Sequence, residues 1–132
     1  NGYFEQMTKA IFQAGFSWQV VNNKWPNFQQ AFDHFDVDRV AAYDLADIER
    51  LLADEGIVRN GRKIEATIAN AIQIQTIRHE FGSFASYLRS LDHMPYRERR
   101  KILAKRFKNL GRTSVFVFLW CVNEEVPDWE NR

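Results

Sequence analysis

From Phe4 to Leu119 apolar residues return at intervals of three and four, and the runs break at glycine, proline or polar clusters. That spacing lays side chains along one face of a helix, whereas a half-buried strand would alternate every second residue. Phe4, Met7, Ile11 and Phe12 form the first face; Ala14-Gly15 interrupts it before Phe16, Trp18, Val20 and Val21 resume it. Trp25-Pro26-Asn27 is expected to end the second helix, since proline disfavours helix at the residue before it, and Asn27 to cap a helix carrying Phe28, Ala31, Phe32 and Phe35. Asp36 to Ala42 reads as one further short turn of helix. Asp44 as N-cap and Asp47 at the third helical position open a helix with Leu45, Ile48, Leu51 and Leu52 on its apolar face, stopping at Gly56.

The next helix begins near Gly61, carries Ile64, Ile68, Ala71, Ile72 and Gln75, and runs to about His79; another runs from about Phe81 to Leu91. After a loop over 92–95, a basic helix extends from Tyr96 to about Asn109 and is expected to end at Gly111, with Thr113 capping the last helix. Residues 114–122 are apolar on nearly every side and belong in the middle of a helical pack; their β-branched content leaves a buried strand as the alternative. The expected fold is all-α, one compact domain over residues 1–132 with a hairpin unit at about 44–79.

A chain of 132 residues, 45% of them hydrophobic, can bury about two thirds of its extended surface. No run of 18 apolar residues spans a membrane and no signal peptide precedes the first helix, so the expected compartment is the cytoplasm. Cys121, the single cysteine, excludes an internal disulfide and a multi-cysteine metal cluster, and is expected to be a buried apolar filler. His34, His79 and His93 share no ligand spacing, so no metal is predicted. The start at Asn1 leads us to expect that an N-terminal segment is lacking.

Charge is segregated. Residues 33–55 hold eight acids against Arg39 and Arg50, a local net of −6. Residues 97–112 hold eight bases against Glu98, a local net of +7. A stripe of that density attracts polyanions, and phosphate neutralisation is the usual source of nucleic-acid affinity. The competing reading is a solvated helix face salt-bridged to the acidic segment.

The segment from Leu45 to Ile64 has the shape of helix, tight hairpin and helix. Gly56 is expected to take a positive φ that ends the first helix, and Gly61 to let a ligand approach the start of the second. Free amides and the positive dipole end there form an anion site, beside Arg62 and Lys63. The expected phosphate-binding set is Gly56, Val58, Asn60, Gly61, Arg62 and Lys63. Two packed helices joined by an ordinary turn would read the same way.

Phe4-Glu5-Gln6-Met7 followed by Gln13-Ala14-Gly15-Phe16-Ser17-Trp18 resembles the signature of the 3-methyladenine DNA glycosylase I family, which reads approximately Q-A-G-L-S-W there. Residues 28–42, 47–52, 56–59 and 62–71 follow the family in order and spacing, as do Gly111-Arg112-Thr113 and Cys121-Val122-Asn123. The resemblance implies a helix-hairpin-helix DNA repair enzyme, monomeric and without cofactor. Such an enzyme flips an alkylated base out of double-stranded DNA and hydrolyses its N-glycosidic bond. It implies a wedge at Gln13, Gly15 and Phe16, which fills the vacated duplex, and a stacking ring at Trp18. Flipping costs a few kcal/mol, which a plug and a receiving ring both offset.

The chain departs from the family's pattern at the base-binding glutamate and the zinc ligands, and the family's N-terminal pocket tyrosines fall before Asn1. The glutamate that binds the extruded base falls on Ala10, so a base-binding position is occupied by a methyl group and no catalytic residue is nominated. The family's zinc, bound by two cysteines and two histidines, finds Glu125 where a histidine belongs and no second cysteine. The alternative is therefore a catalytically weakened or inactive DNA-binding relative. Asp33, Asp36 and Asp38 lie near the pocket-forming helices and read as caps or solvated carboxylates.

Overall fold

The computed structural model describes residues 2–132. Among these the elements are eight α-helices: α1 (Gly2–Gln13), α2 (Trp18–Ala31), α3 (Val37–Ala41), α4 (Leu45–Leu52), α5 (Gly61–Phe81), α6 (Phe84–Ser90), α7 (Tyr96–Arg106) and α8 (Arg112–Cys121). The all-α expectation holds, and 114–121 is helix, not strand. No helix among the described residues is long and apolar enough to cross a membrane.

The longest helix, α5, packs against α1, α3, α4 and α6, while α8 packs along α1. The start of α1 (Gly2, Tyr3, Gln6) and the end of α8 (Cys121, Val122) line one cavity of about 390 Å³. The two helices are therefore antiparallel, and α8 opens at Arg112 toward the end of the molecule where α1 finishes.

The expected break at Trp25-Pro26-Asn27 does not occur: α2 runs through Pro26 to Ala31. Interior proline costs about 3 kcal/mol, through a lost hydrogen bond and a clash with the preceding turn. Two features offset it. Trp25 and Phe28 are buried on the core side, each contributing about 1.5–3 kcal/mol. Asn22 and Pro26 face solvent, where water can satisfy the freed carbonyl. Asn27 is thus mid-helix and caps nothing.

Beyond α2 the backbone makes a left-handed turn at Asp33, His34 and Phe35, with φ of 51°, 54° and 56°. Left-handed backbone costs roughly 1–2 kcal/mol per non-glycine residue. The turn swings Phe35 flat against Trp25, with centroids 5.2 Å apart and planes at 4°, and stacks it on Phe32. From the other side the Tyr43 hydroxyl donates to Asp33 Oδ2 (2.6 Å) and to the Ala31 carbonyl (3.2 Å), and Arg50 donates to the same carbonyl (3.0 Å). Burial, with the Asp33 carboxylate beside it, holds the Tyr43 proton well above the usual phenol range.

Asp36 caps α3, and Asp44 with Asp47 forms the expected capping box on α4. The apolar face expected for α4 is only partly used: Leu51 is buried, but Leu45 and Leu52 are exposed. On α5, Ile74 and Ile77 take the buried places that the pattern assigned to Ile72, which is exposed. The next helix starts at Phe84, later than expected, because Gly82 closes α5 with a φ of +84° and Ser83 caps α6. Helix α7 ends at Arg106, earlier than expected. Asn109, not Gly111, takes the positive φ after it, and Gly111 is the N-cap of α8 in place of Thr113. Ser114 Oγ accepts the Gly111 amide (3.1 Å), while Thr113 Oγ1 accepts from Arg132 (3.0 Å). Cys121 is exposed rather than buried, one residue past exposed Trp120, because the core-facing run of α8 stops at Leu119.

Candidate nucleic-acid interface

The turn between α1 and α2 is built from local rules. Gly15 has a φ of +68° with nothing within 4 Å of where a Cβ would stand. Its glycine is therefore required by backbone conformation and not by space. Gly15→Ala is expected to lose about 1–2 kcal/mol of unfolding free energy in denaturant titration, with no effect on packing. Ser17 caps α2 by accepting the Val20 amide (3.2 Å), the Phe16 amide donates to the Gln13 carbonyl (3.1 Å), and Gln13 Nε2 donates to Asn22 Oδ1 (3.1 Å). Gln13 and Ala10 are buried, at 5% and 3% exposure. Phe16 and Trp18, by contrast, are 46% and 44% exposed, two large rings held out on a short turn. The expected base-binding and wedge residues thus divide into a buried pair (Ala10, Gln13) and an exposed pair (Phe16, Trp18), with Gly15 making the turn between them.

The hairpin between α4 and α5 is fastened to α2. Lys24 Nζ donates to the Glu55 carbonyl and Asn27 Nδ2 to the Gly56 carbonyl, each at 3.1 Å. Gly56 does not take the expected positive φ. It is needed for close approach: an added Cβ would lie 3.0 Å from Asp54 Oδ1 and 3.2 Å from Asn27 Cβ. Its amide is already donated to Asp54 Oδ1 (2.8 Å).

At the start of α5, Asn60 Oδ1 accepts the Lys63 amide (3.1 Å) and the Asn60 carbonyl accepts the Ile64 amide (2.9 Å). The Asn60 amide donates to the Val58 carbonyl (2.9 Å). The amides of Gly61 and Arg62 remain without an acceptor among the described residues, and the Arg62 side chain is exposed. Of the six residues assigned to phosphate, Gly61 and Arg62 keep open donors, while Gly56, Val58 and Asn60 serve mainly to shape the hairpin.

Lys63 sits elsewhere than expected. Its ammonium donates to the carbonyls of Ala14 (2.8 Å) and Phe12 (3.3 Å), across 49 and 51 residues of chain. Those oxygens belong to the end of α1 and the turn after it, where helix carbonyls lack partners and the dipole favours a cation. Burial holds the Lys63 pKa below the ordinary lysine value. The residue is a strut joining the hairpin helix to the turn that carries Phe16 and Trp18.

A groove of about 240 Å³ continues this surface, lined by Arg62, Glu65, Ala66 and Ala69 of α5 and by Lys108 and Asn109. Its far wall is clamped by Asn70, buried to 1%, which accepts the Lys108 amide (2.7 Å) and donates to the Lys108 carbonyl (3.1 Å). Asn70→Ala is expected to lower unfolding free energy by about 1–3 kcal/mol, because both main-chain groups of Lys108 lose their partner; thermal denaturation reads this directly. Sequence reasoning passed over Asn70, although a polar residue beside the Ile64–Ile68–Ala71 face is the available signal. It also passed over Glu5, whose Oε2 accepts from Trp25 Nε1 and Gln29 Nε2, each at 2.8 Å, and so sets α1 against α2.

The basic stripe is not neutralised by the acidic segment. Among the described residues its ion pair runs from Arg106 to Glu80 (3.2 Å), and no ion pair joins it to residues 33–55. Asp33 and Asp36 are spent on Tyr43 and on the cap of α3, and Asp38 accepts from Gln75 (2.9 Å). His34, His79 and His93 are exposed. Among the described residues no group of three His, Cys, Asp or Glu side chains gathers that could hold a metal ion.

Residues 1–114 match the methyladenine glycosylase family. The chain is 37% identical over 93 residues to DNA-3-methyladenine glycosylase 1 of Escherichia coli K12, a match covering 70% of this chain and half the length of that relative. A crystal structure of a 3-methyladenine DNA glycosylase I superposes with a TM-score of 0.78 at 34% identity, covering 89% of this chain and 75% of that one. The Staphylococcus aureus 3-methyladenine DNA glycosylase I, solved to explain its recognition of 3-methyladenine, gives 0.78 at 27% identity, over 89% and 72% of the two chains.

Proposed function

The chain belongs to the methyladenine glycosylase family, and from that premise we propose that it is a monofunctional DNA glycosylase that flips an alkylated purine out of duplex DNA and hydrolyses its N-glycosidic bond. We read residues 1–132 as one helix-hairpin-helix domain acting as a monomer in the bacterial cytosol. The observation that supports this most is the Lys63 bridge, which unites a projecting aromatic turn with an open helix N-terminus. A base-flipping protein needs a plug for the gap, a surface for the base and a grip on the backbone held in fixed relation.

In this reading the Gly61 and Arg62 amides and the Arg62 guanidinium hold phosphate, with Lys108 across the groove. Phe16 enters the vacated stack on the Gly15 turn, braced by Gln13. Trp18 stacks on the extruded base. An N3-alkylated adenine is cationic and leaves readily, so the enzyme need only bind it selectively and stabilise an oxocarbenium-like sugar while water attacks. Little acid catalysis is required, which suits a site with no nominated acid.

Ala10 supports a second reading. A buried methyl group cannot accept a hydrogen bond from the base, and loss of a polar contact built for one ligand can cost about 10⁴-fold or more in discrimination. The protein would then be a weakened or inactive relative that retains DNA binding. Free base released from duplexes carrying methylated purines, read by chromatography, decides between them. No release from a panel of alkylated and deaminated bases, with salt-dependent duplex binding intact, selects the second reading. No release and no binding refutes both.

A further inference from the structure

A second basic cleft lies apart from the wedge and hairpin. Arg97 and Arg100, three apart on α7 and so on one face, converge with Arg112, the first residue of α8, on a cleft of about 270 Å³ closed by Glu130 and Asn131. Arg97 and Arg112 make no hydrogen bond or ion pair within the described chain, and both are exposed. Among the described residues Arg100 makes one hydrogen bond, to the Arg132 carbonyl (3.0 Å). Glu130 lines the cleft without pairing to any of the three within 4 Å. Three guanidiniums with one carboxylate leave a net positive cleft whose like charges repel, and an anion relieves that repulsion. Guanidinium suits phosphate because its planar fork presents paired N–H donors.

The position of the cleft selects the anion. Arg112 opens α8 at the end of the molecule where α1 finishes and the Phe16 turn begins. The short segment 107–111 has the Arg62–Lys108 groove at its start and Arg112 just beyond its end, and Asn70 clamps that segment to α5. We propose that the Arg97–Arg100–Arg112 cleft binds a phosphodiester of the DNA backbone, continuing the phosphate track from the Arg62–Lys108 groove along the duplex. This rests on the reading of the chain as a duplex-binding protein. Each strand offers a phosphate about every 3.4 Å of helix axis, so a track of separated cations meets repeated partners. Glu130 is then a resident competitor for the arginines.

The test is the salt dependence of binding to an undamaged duplex, read by fluorescence anisotropy, for the parent protein, Arg97→Ala/Arg112→Ala, Glu130→Gln and Arg62→Ala. The double variant is expected to flatten the log Kd against log salt slope by about 1 to 2, near 0.9 per lost phosphate contact. Glu130→Gln is expected to tighten binding several-fold at low salt. A parental slope in the double variant, with Arg62→Ala still flattening it, overturns the cleft and leaves the proposed function standing. Absence of duplex binding by the parent at low salt overturns both.

Discussion

Trp18→Ala is expected to lower the rate of base release from an alkylated duplex by about 5- to 150-fold in single-turnover assays. The estimate comes from base–aromatic stacking, worth about 1–3 kcal/mol per base, since each 1.36 kcal/mol is tenfold in rate. The ring is 44% exposed, so its loss removes little packing, and the unfolding midpoint is expected to stay near that of the parent. Duplex affinity at low salt should also hold, because the backbone contacts we propose lie on α5 and beyond. A variant that excises at the parental rate would remove Trp18 from the base-receiving role and with it the pocket assignment.

The second large effect is expected at Lys63. Lys63→Met keeps the aliphatic stem and removes the ammonium that holds the Phe12 and Ala14 carbonyls. Hydrogen bonds to charged groups contribute about 1.5–3 kcal/mol. If the turn loses that restraint, release should fall by about tenfold or more. The salt slope of binding to undamaged duplex should remain parental, because the ammonium faces main-chain oxygens and not solvent phosphate. A slope flattened by about 0.9 would instead make Lys63 a phosphate ligand, as its sequence position suggests. Arg62→Ala, the neighbouring residue, should show the converse pattern.

These two residues mark how far the chain can be read without its fold. The Gln13–Trp18 turn was legible because Gly15, Ser17 and the breaks on either side act within a few residues of each other. The Asp44–Asp47 capping box was legible for the same reason, whereas the Asn60 cap was not read from the sequence, which gave Asn60 to phosphate instead. Pro26 misled, because a rule that spans one residue met a helix face whose buried rings outweigh it. Gly56 was correctly noticed and wrongly explained: what it accommodates is Asn27, 29 residues away, not a turn conformation. Cys121 was misplaced because apolar character tells nothing of where a helix leaves the core.

By itself the sequence determined the helical class, the order of the helices outside the stretch around Pro26, the aromatic turn and the hairpin, because apolar periodicity and capping are settled within one or two turns of backbone. Tertiary structure alone decided that Lys63 braces the turn, that Asn70 holds Lys108, and that arginines from two helices share a cleft. Those outcomes depend on contacts between residues tens of positions apart, and no local spacing records which carbonyl or carboxylate a long cationic side chain will meet.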